Sequence, residues 1–411
     1  MNESEYWKNR RKQALARALA RGPEGGGVSQ VDADEGYLYR PGQLLLGRGA
    51  VDELRSETQS SRVRPVESLN ARFEDRGVDL QAWSIPSDVR LTALQRTLAP
   101  RAEAVGSHVA LNHVFAGEWV YQGGPATEPH LAPELPAPGR IDLTSSEPVL
   151  AVLDTGVTDP AHPYFADALL DEMADDVDVL DEDHNRYLDT EAGHGTFICG
   201  LAQRVAPGLA LEQRKVLTPN GFGDDLSVAL GVAETTAPVI NLSLGGYTRD
   251  NRRPRALRAA LAALDPSRVV VAAAGNNGHS RRFWPAAFHE VIAVAAYDSA
   301  NGRTADFSNY GPWVDVCAPG VSLHSSFVDG RRGDASDDPT FSGWAAWSGT
   351  SFAAPLVAAE IARRVAAASG RSAQEVADEF LGELGDLPDD GYGRRYEPET
   401  NVRLADVSSG V

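Results

Sequence analysis

Apolar and polar residues alternate with two different textures along the chain, and the change between them marks the domain boundaries. From Tyr37 to about Gly117 short elements follow one another. "QLLLG" predicts a strand, "AVDELRSE" a helix, "VDLQAWSI" a strand, "DVRLTALQRTLAPRAEAV" a helix and "HVALNHVF" a strand. That order predicts a small α+β domain of ferredoxin-like type over 37–117. Ahead of it, residues 1–30 read as a basic, partly amphipathic helix followed by the flexible break "GPEGGGVSQ". Behind it, the Pro- and Gly-rich run "QGGPATEPHLAPELPAPGR" predicts an extended linker over 118–146.

From 147 to 370 the strands become continuous apolar runs. "PVLAVLD", "LEQRKVL", "PVINLSL", "RVVVAAAG" and "EVIAVAA" alternate with the helical stretches "HGTFICGLAQRV", "LSVALGVAE" and "RALRAALAAL". Uninterrupted apolar strands separated by amphipathic helices predict an α/β domain whose mostly parallel, doubly wound sheet is covered on both faces. "FAAPLVAAEIARRVAAA" predicts a last long helix that stops at Gly370. Residues 371–411 read as a short helix, "SAQEVADEFLGEL", and a polar tail.

Composition narrows the classes. The chain has 411 residues, is 42% apolar and carries a net charge of -20. That charge argues against nucleic acid or an anionic membrane as the main partner. No stretch is apolar enough to span a bilayer, and Arg17 and Arg21 break what would be the apolar core of a secretory leader. The two cysteines, Cys199 and Cys317, make no disulfide framework. These features predict a cytoplasmic protein, with a non-classical secretion route leaving the same trace.

Three polar residues stand at element ends. Asp154 follows the strand "VLAVL", His194 opens a helix in "GHGTFICG", and Ser351 opens the last long helix. Taken singly, each has a structural reading. Asp154 would be a turn or helix cap, His194 a satisfied core histidine, and Ser351 a capping hydroxyl. Taken together they suit nucleophilic catalysis. A serine hydroxyl needs an imidazole to take its proton, and a carboxylate fixes the imidazole's tautomer and offsets the imidazolium charge.

"VLDTGV", "GHGT" and "GTSFAAP" resemble the three signatures of the subtilisin-like serine proteases, the subtilases. "INLSLGG", "VVVAAAGNNG", "WPAAFHEVIAVAA" and "DFSNYGPWVDVCAPG" follow in that family's order. The resemblance implies a subtilisin-like fold and a serine endopeptidase acting on protein or peptide substrates through Asp154, His194 and Ser351. It implies Asn276 as an oxyanion-hole amide, with Asn277 the fallback. It implies that Ser243, Leu244, Gly245 and Gly246 form the edge on which substrate lies as an added strand, and that Ala274 and Gly275 wall the specificity pocket. Two further readings stay open: a transpeptidase or peptide cyclase with an amine as acceptor, and a binding scaffold without activity. The resemblance also implies that the 37–117 domain is a prodomain, an intramolecular inhibitor cut between about Gly117 and Asp142. A permanent regulatory domain is the rival reading.

The chain departs from the family in places. Phe197 stands where a second histidine often follows "HGT", and Cys199 replaces a small residue. The chemistry requires no cofactor. Structural calcium is common in the family, but a frequent calcium loop after the histidine helix is missing. Asp181, Asp183, Asn185 and Asp189 have partial EF-hand spacing, yet Arg186 replaces the required glycine and Ala192 the closing glutamate. A solvated acidic loop is the favoured reading there. "HSSFVDGRRGDASDDPTFSGWAAWSGT" reads either as a surface excursion or as a rim for substrate.

Overall fold

Alternation of apolar elements becomes two compact units in the computed structural model. It describes residues 29–31, 37–58, 62–116, 127–136, 147–171, 176–334, 336, 338–368, 370–400 and 402. The basic N-terminal segment and the glycine break expected before residue 29, and the end of the polar tail, lie outside the described residues.

One unit takes in residues 1–115, 223–234 and 246–264. Its antiparallel sheet places β1 (Tyr37–Leu46) between β2 (Gln81–Ser84) and β3 (Val109–Ala116). Helices α1 (Val51–Thr58) and α3 (Leu91–Ala104) share an apolar cluster with that sheet. Leu54 from α1, and Leu91, Leu94, Leu98 and Ala102 from α3, form its helical side. A helix that the sequence pattern did not predict, α2 (Glu67–Asp75), lies between them in the chain; only Phe73 of it is buried. Two later helices, Asp225–Glu234 and Arg255–Ala263, belong to the same unit. Arg72 pairs with Glu234 at 2.7 Å, and Asn112 accepts from the Leu226 N–H at 3.2 Å.

The other unit holds the parallel sheet. Its six central strands are β5 (Leu150–Asp154), β6 (Leu211–Lys215), β7 (Val239–Leu242), β8 (Val269–Ala273), β9 (Val291–Asp298) and β10 (Val316–Pro319), with three short strands at its margins. Their order in space is β10-β9-β8-β7-β5-β6, every neighbouring pair parallel. From β5 the chain moves to β6 on one side, and then to β7 on the other. The order of the sheet therefore reverses beside β5, and the crevice at the carboxyl ends of strands around such a point is where open α/β sheets hold ligands. Asp154 is the last residue of β5.

Two helices of this unit carry the remaining site residues. They are α4 (His194–Val205) and α5 (Thr350–Ala367), whose first dozen residues are entirely buried. α5 is followed by α6 (Ala373–Glu383), which opens with a capping box of Ser372 and Glu375.

Two segments without a regular pattern also take defined places here. Residues 127–136, inside the expected linker, supply the strand β4 (His130–Leu131), which pairs with β11 (Trp344–Trp347). Glu128 forms a buried ion pair with Arg332, whose guanidinium also donates to the Asp189 and Thr190 carbonyls. His324 Nε2 lies 2.7 Å from the Pro133 carbonyl. The polar run before Ser351 is largely a built element. Leu323–Ser326 pairs with β11, and Phe327, Phe341 and Trp347 are buried in the core.

Candidate active site

The local sequence explains how each side chain is aimed. β5 ends at Asp154, where Gly156 turns the chain at φ 94° with the Asp176 carbonyl too close to admit a Cβ. Gly193 (φ 85°) turns the chain again so that α4 begins at His194 itself. The two residues meet: His194 Nδ1 lies 2.7 Å from Asp154 Oδ1, and both are buried. The Thr155 N–H donates to that same Oδ1 at 2.8 Å, which fixes the carboxylate.

A second carboxylate ties the two loops together. Asp178 Oδ2 accepts from the Gly193 N–H at 2.8 Å and from Thr155 Oγ1 at 3.1 Å. Thr155 Oγ1 in turn accepts from the Gly195 N–H at 3.1 Å. Asp178 was not singled out in the sequence, where it is one of several acids in a run. Burial pushes its carboxyl up to about 6, opposed by its hydrogen bonds and by Lys215. A carboxyl raised on folding stabilises the fold below its unfolded pKa and loses that contribution as pH climbs through about 6. Asp178→Asn is therefore expected to gain stability relative to the parent between about pH 4 and about pH 7, by about 3 kcal/mol at most. Urea unfolding across that range checks it; a difference that does not change with pH counts against titration of this group.

Ser351 is the second residue of α5, and the capping reading does not hold for it. The N-cap is Gly349, in extended backbone and with no side-chain cap. Pro355 explains a further contact. Proline has no N–H, so the carbonyl four residues earlier, that of Ser351, lacks its helical donor. The Ser243 hydroxyl donates to that carbonyl at 2.6 Å, and Asn241 Nδ2 donates to Ser243 Oγ at 2.9 Å. The residue expected on the substrate edge thus also completes the first turn of α5. Ser243→Ala is expected to cost about 1–3 kcal/mol, the penalty for a buried carbonyl without a donor. Denaturant titration measures it, and a loss under about 0.5 kcal/mol would show that another group serves the carbonyl.

Asn276 lies beside the start of α5. Its side-chain oxygen accepts from the Thr350 N–H and from Thr350 Oγ1, each at 2.9 Å, and the Gly275 N–H donates to Thr350 Oγ1 at 3.0 Å. With the amide oxygen engaged on Thr350, the donor end of the amide is the end that can serve an anion. Asn277 instead donates its backbone N–H to Asn309 Oδ1 at 3.1 Å. Gly275 is at φ 93°, with Asn309 and Phe283 where a Cβ would stand. Ala274, Ser243 and Leu244 are buried, and Gly245 abuts Phe283 and the Trp284 carbonyl. In the first unit, Gly246 abuts the Val114 carbonyl and Phe115 at the end of β3.

Aromatic rings wall the imidazole, a feature the sequence reading missed. Trp347 meets His194 edge to face at 5.5 Å, and Phe352 lies 5.2 Å from it. Phe197, noted only as a departure, packs on both. Burial raises the Cys199 thiol well above its usual range and pushes Cys317 up to about 12, so both are inert thiols packed in the core.

Three of the four acidic-loop residues bind the loop's own backbone. Asp181 accepts from the Asn185 and Arg186 N–H groups at 3.0 and 2.8 Å, and Asp189 from the Glu182 N–H at 2.8 Å. Asn185 Oδ1 accepts from the Tyr187 N–H. These oxygens close the loop on itself, and among the described residues no group of three or more His, Cys, Asp or Glu is placed to hold a metal ion.

Comparison with known proteins identifies the family. The subtilase family model matches residues 145–383. A thermophilic serine proteinase from Bacillus sp. (strain AK1) is 37% identical over 248 residues, covering 56% of this chain and 55% of the relative. Thermitase from Thermoactinomyces vulgaris is 34% identical over 257 residues, covering 59% of this chain and 83% of the relative. The chain thus spans about half the length of the first relative and most of the second. The crystal structure of fervidolysin from Fervidobacterium pennivorans, a keratinolytic enzyme related to subtilisin, aligns with a TM-score of 0.60 at 20% identity. It covers 90% of this chain and 61% of that one, a likeness of fold. The expected cytoplasmic location is corrected by these relatives: thermitase, the subtilisins and the alkaline protease among them are secreted, extracellular enzymes. The segment on which the cytoplasmic reading rested lies outside the described residues. With the parallel sheet, the ordered signatures and a family model matching residues 145–383, the chain belongs to the subtilase family of serine proteases.

Proposed function

We propose that the protein is a serine endopeptidase in which Asp154, His194 and Ser351 act as a triad. The observation that carries this reading is the buried 2.7 Å contact between His194 Nδ1 and Asp154 Oδ1, with Ser351 at the head of α5. Asp154 holds the imidazole in the tautomer that leaves Nε2 as the base. Nε2 takes the Ser351 proton as the hydroxyl attacks the scissile carbonyl, and gives it to the leaving amine. Water then repeats the sequence on the acyl-enzyme and releases the acid. The developing oxyanion is met by the Asn276 side-chain amide and the Ser351 N–H. Losing such an amide costs about 10²–10³ in turnover, the effect known for subtilisin.

The test is a fluorophosphonate probe together with a defined peptide. One adduct on Ser351 is expected, and products whose summed mass exceeds the peptide's by one water. No adduct in protein that digests casein would remove Ser351 from the mechanism, and products lacking the added water would mean transfer to an amine.

We propose further that residues 37–115 restrain the enzyme as a prodomain. Support comes from the Val114 carbonyl and Phe115, which lie against Gly246 on the strip expected to receive substrate. The pairing of residues 127–136 with β11 favours a cut ahead of Thr127, within the expected window from about Gly117 to Asp142.

A further inference from the structure

The N-terminal unit contains a cavity of about 190 Å³ that has no part in the proposed peptidase chemistry. Arg96, Arg249, Arg252, Arg253 and Arg255 line it, against two carboxylates, Glu103 and Asp250. In a chain of net charge -20, that is a local reversal of sign. The carboxylates are already engaged: Glu103 with Arg252 at 3.4 Å, and Asp250 with Arg249 at 3.8 Å. Arg249 also donates to Gln95 at 2.7 Å. Among the described residues, the guanidinium groups of Arg96, Arg253 and Arg255 make no ion pair or hydrogen bond to a carboxylate.

Arg255 is half-buried, so its charge has lost part of its water; the Glu103 and Asp225 carboxylates act on it from nearby, but neither is bonded to its guanidinium. Burial, and then Arg258, pull its pKa down against the opposing pull of Glu103 and Asp225; burial and then Arg255 lower that of His108 in the cavity wall, against Asp79. His113, buried in the same wall, accepts from the Arg249 N–H through Nε2, and its Nδ1 has no hydrogen-bond partner. The helix that begins at Arg255 does not itself call for an anion. Buried Asp225 already accepts from the Ala256 and Leu257 N–H groups at 2.9 and 2.8 Å. The demand for negative charge therefore comes from side chains.

We propose that this cavity is a binding site for a small multivalent oxyanion of the phosphate class, held by Arg255, Arg253 and Arg96. Guanidinium groups present paired donors that match tetrahedral oxyanions, and the volume admits one such ion together with several waters. The ligand bridges α3, which carries Arg96, to the segment 249–255. It thereby fastens the N-terminal domain to the helix Arg255–Ala263, and the site does not depend on the peptidase reading.

The experiment titrates inorganic phosphate into the full-length Ser351→Ala chain, with chloride adjusted to constant ionic strength, by calorimetry and thermal unfolding. Saturable binding of one ion is expected, with a rise in Tm of a few degrees near saturation. Arg255→Gln is expected to weaken binding at least tenfold, and Arg253→Gln, an exposed position, by roughly three- to tenfold. Heat that never saturates, or an affinity unchanged in both variants, overturns the site. If Arg255→Gln fails to fold, Arg253→Gln and Arg96→Gln decide it in the same way.

Discussion

Ser351→Ala is expected to lower kcat about a million-fold, the scale on which removing the nucleophile acts in subtilisin. Thermal stability should hardly change. Because Gly349 rather than Ser351 is the N-cap of α5, the substitution does not remove the helix cap, and truncating one hydroxyl creates no large cavity. If the hydroxyl were a cap, its loss would cost about 1 kcal/mol and leave turnover alone. The two roles therefore predict opposite pairs of results, read from peptide hydrolysis and from a melting curve. The same variant reports on the N-terminal domain. If the domain is a prodomain removed by the enzyme itself, the wild type ends as two masses and Ser351→Ala as one. A wild type that digests casein while its own mass stays whole would leave residues 37–115 a permanent regulator.

The parts of the fold that could be read from the sequence are those in which one physical demand dominates. Of the parallel strands, β5, β7, β8, β9 and β10 are buried on both faces and appear as largely apolar runs, whereas β6 (LEQRK) is polar and its last two residues are only partly buried. Among the helices between them, Arg255–Ala263 shows one apolar stripe, while α4 and Asp225–Glu234 are buried over most of their length. The candidate site residues stood out for a related reason: Gly156 and Gly193 make the turns just after Asp154 and just before His194, so each candidate carries its own punctuation. α2 was missed because it buries only Phe73 and so has no periodicity. Residues 127–136 were taken for a linker because Pro and Gly suppress local structure there. What fixes them is non-local: the Glu128–Arg332 pair spans 204 residues, and β4 has meaning only against β11. Ser243 shows the same limit at the site. Its role as donor to Ser351 follows from Pro355, 112 positions later, through the missing proline N–H. Asp178 and Trp347 likewise gain their positions beside the imidazole and its loops only when distant segments meet.

Asp154→Ala is expected to lower kcat about ten-thousand-fold, less than loss of Ser351, with KM nearly unchanged. The carboxylate touches no substrate in the proposed mechanism. It works through His194, by keeping the proton on Nδ1 and by offsetting the imidazolium that forms when Nε2 takes the Ser351 proton. Without it the ring can rotate or change tautomer, but an imidazole and a hydroxyl remain, so some catalysis survives. The substitution also strands two buried donors, His194 Nδ1–H and the Thr155 N–H, both of which use Asp154 Oδ1. A stability loss of about 1–3 kcal/mol should accompany the kinetic one. The double variant with Ser351→Ala separates the two effects. If Asp154 acts only through the serine's activation, adding its loss to Ser351→Ala lowers kcat no further, while the stability cost remains. A kcat for Asp154→Ala within tenfold of the parent, or a further drop in the double variant, would mean that the 2.7 Å contact is structural and that the base is oriented by another group.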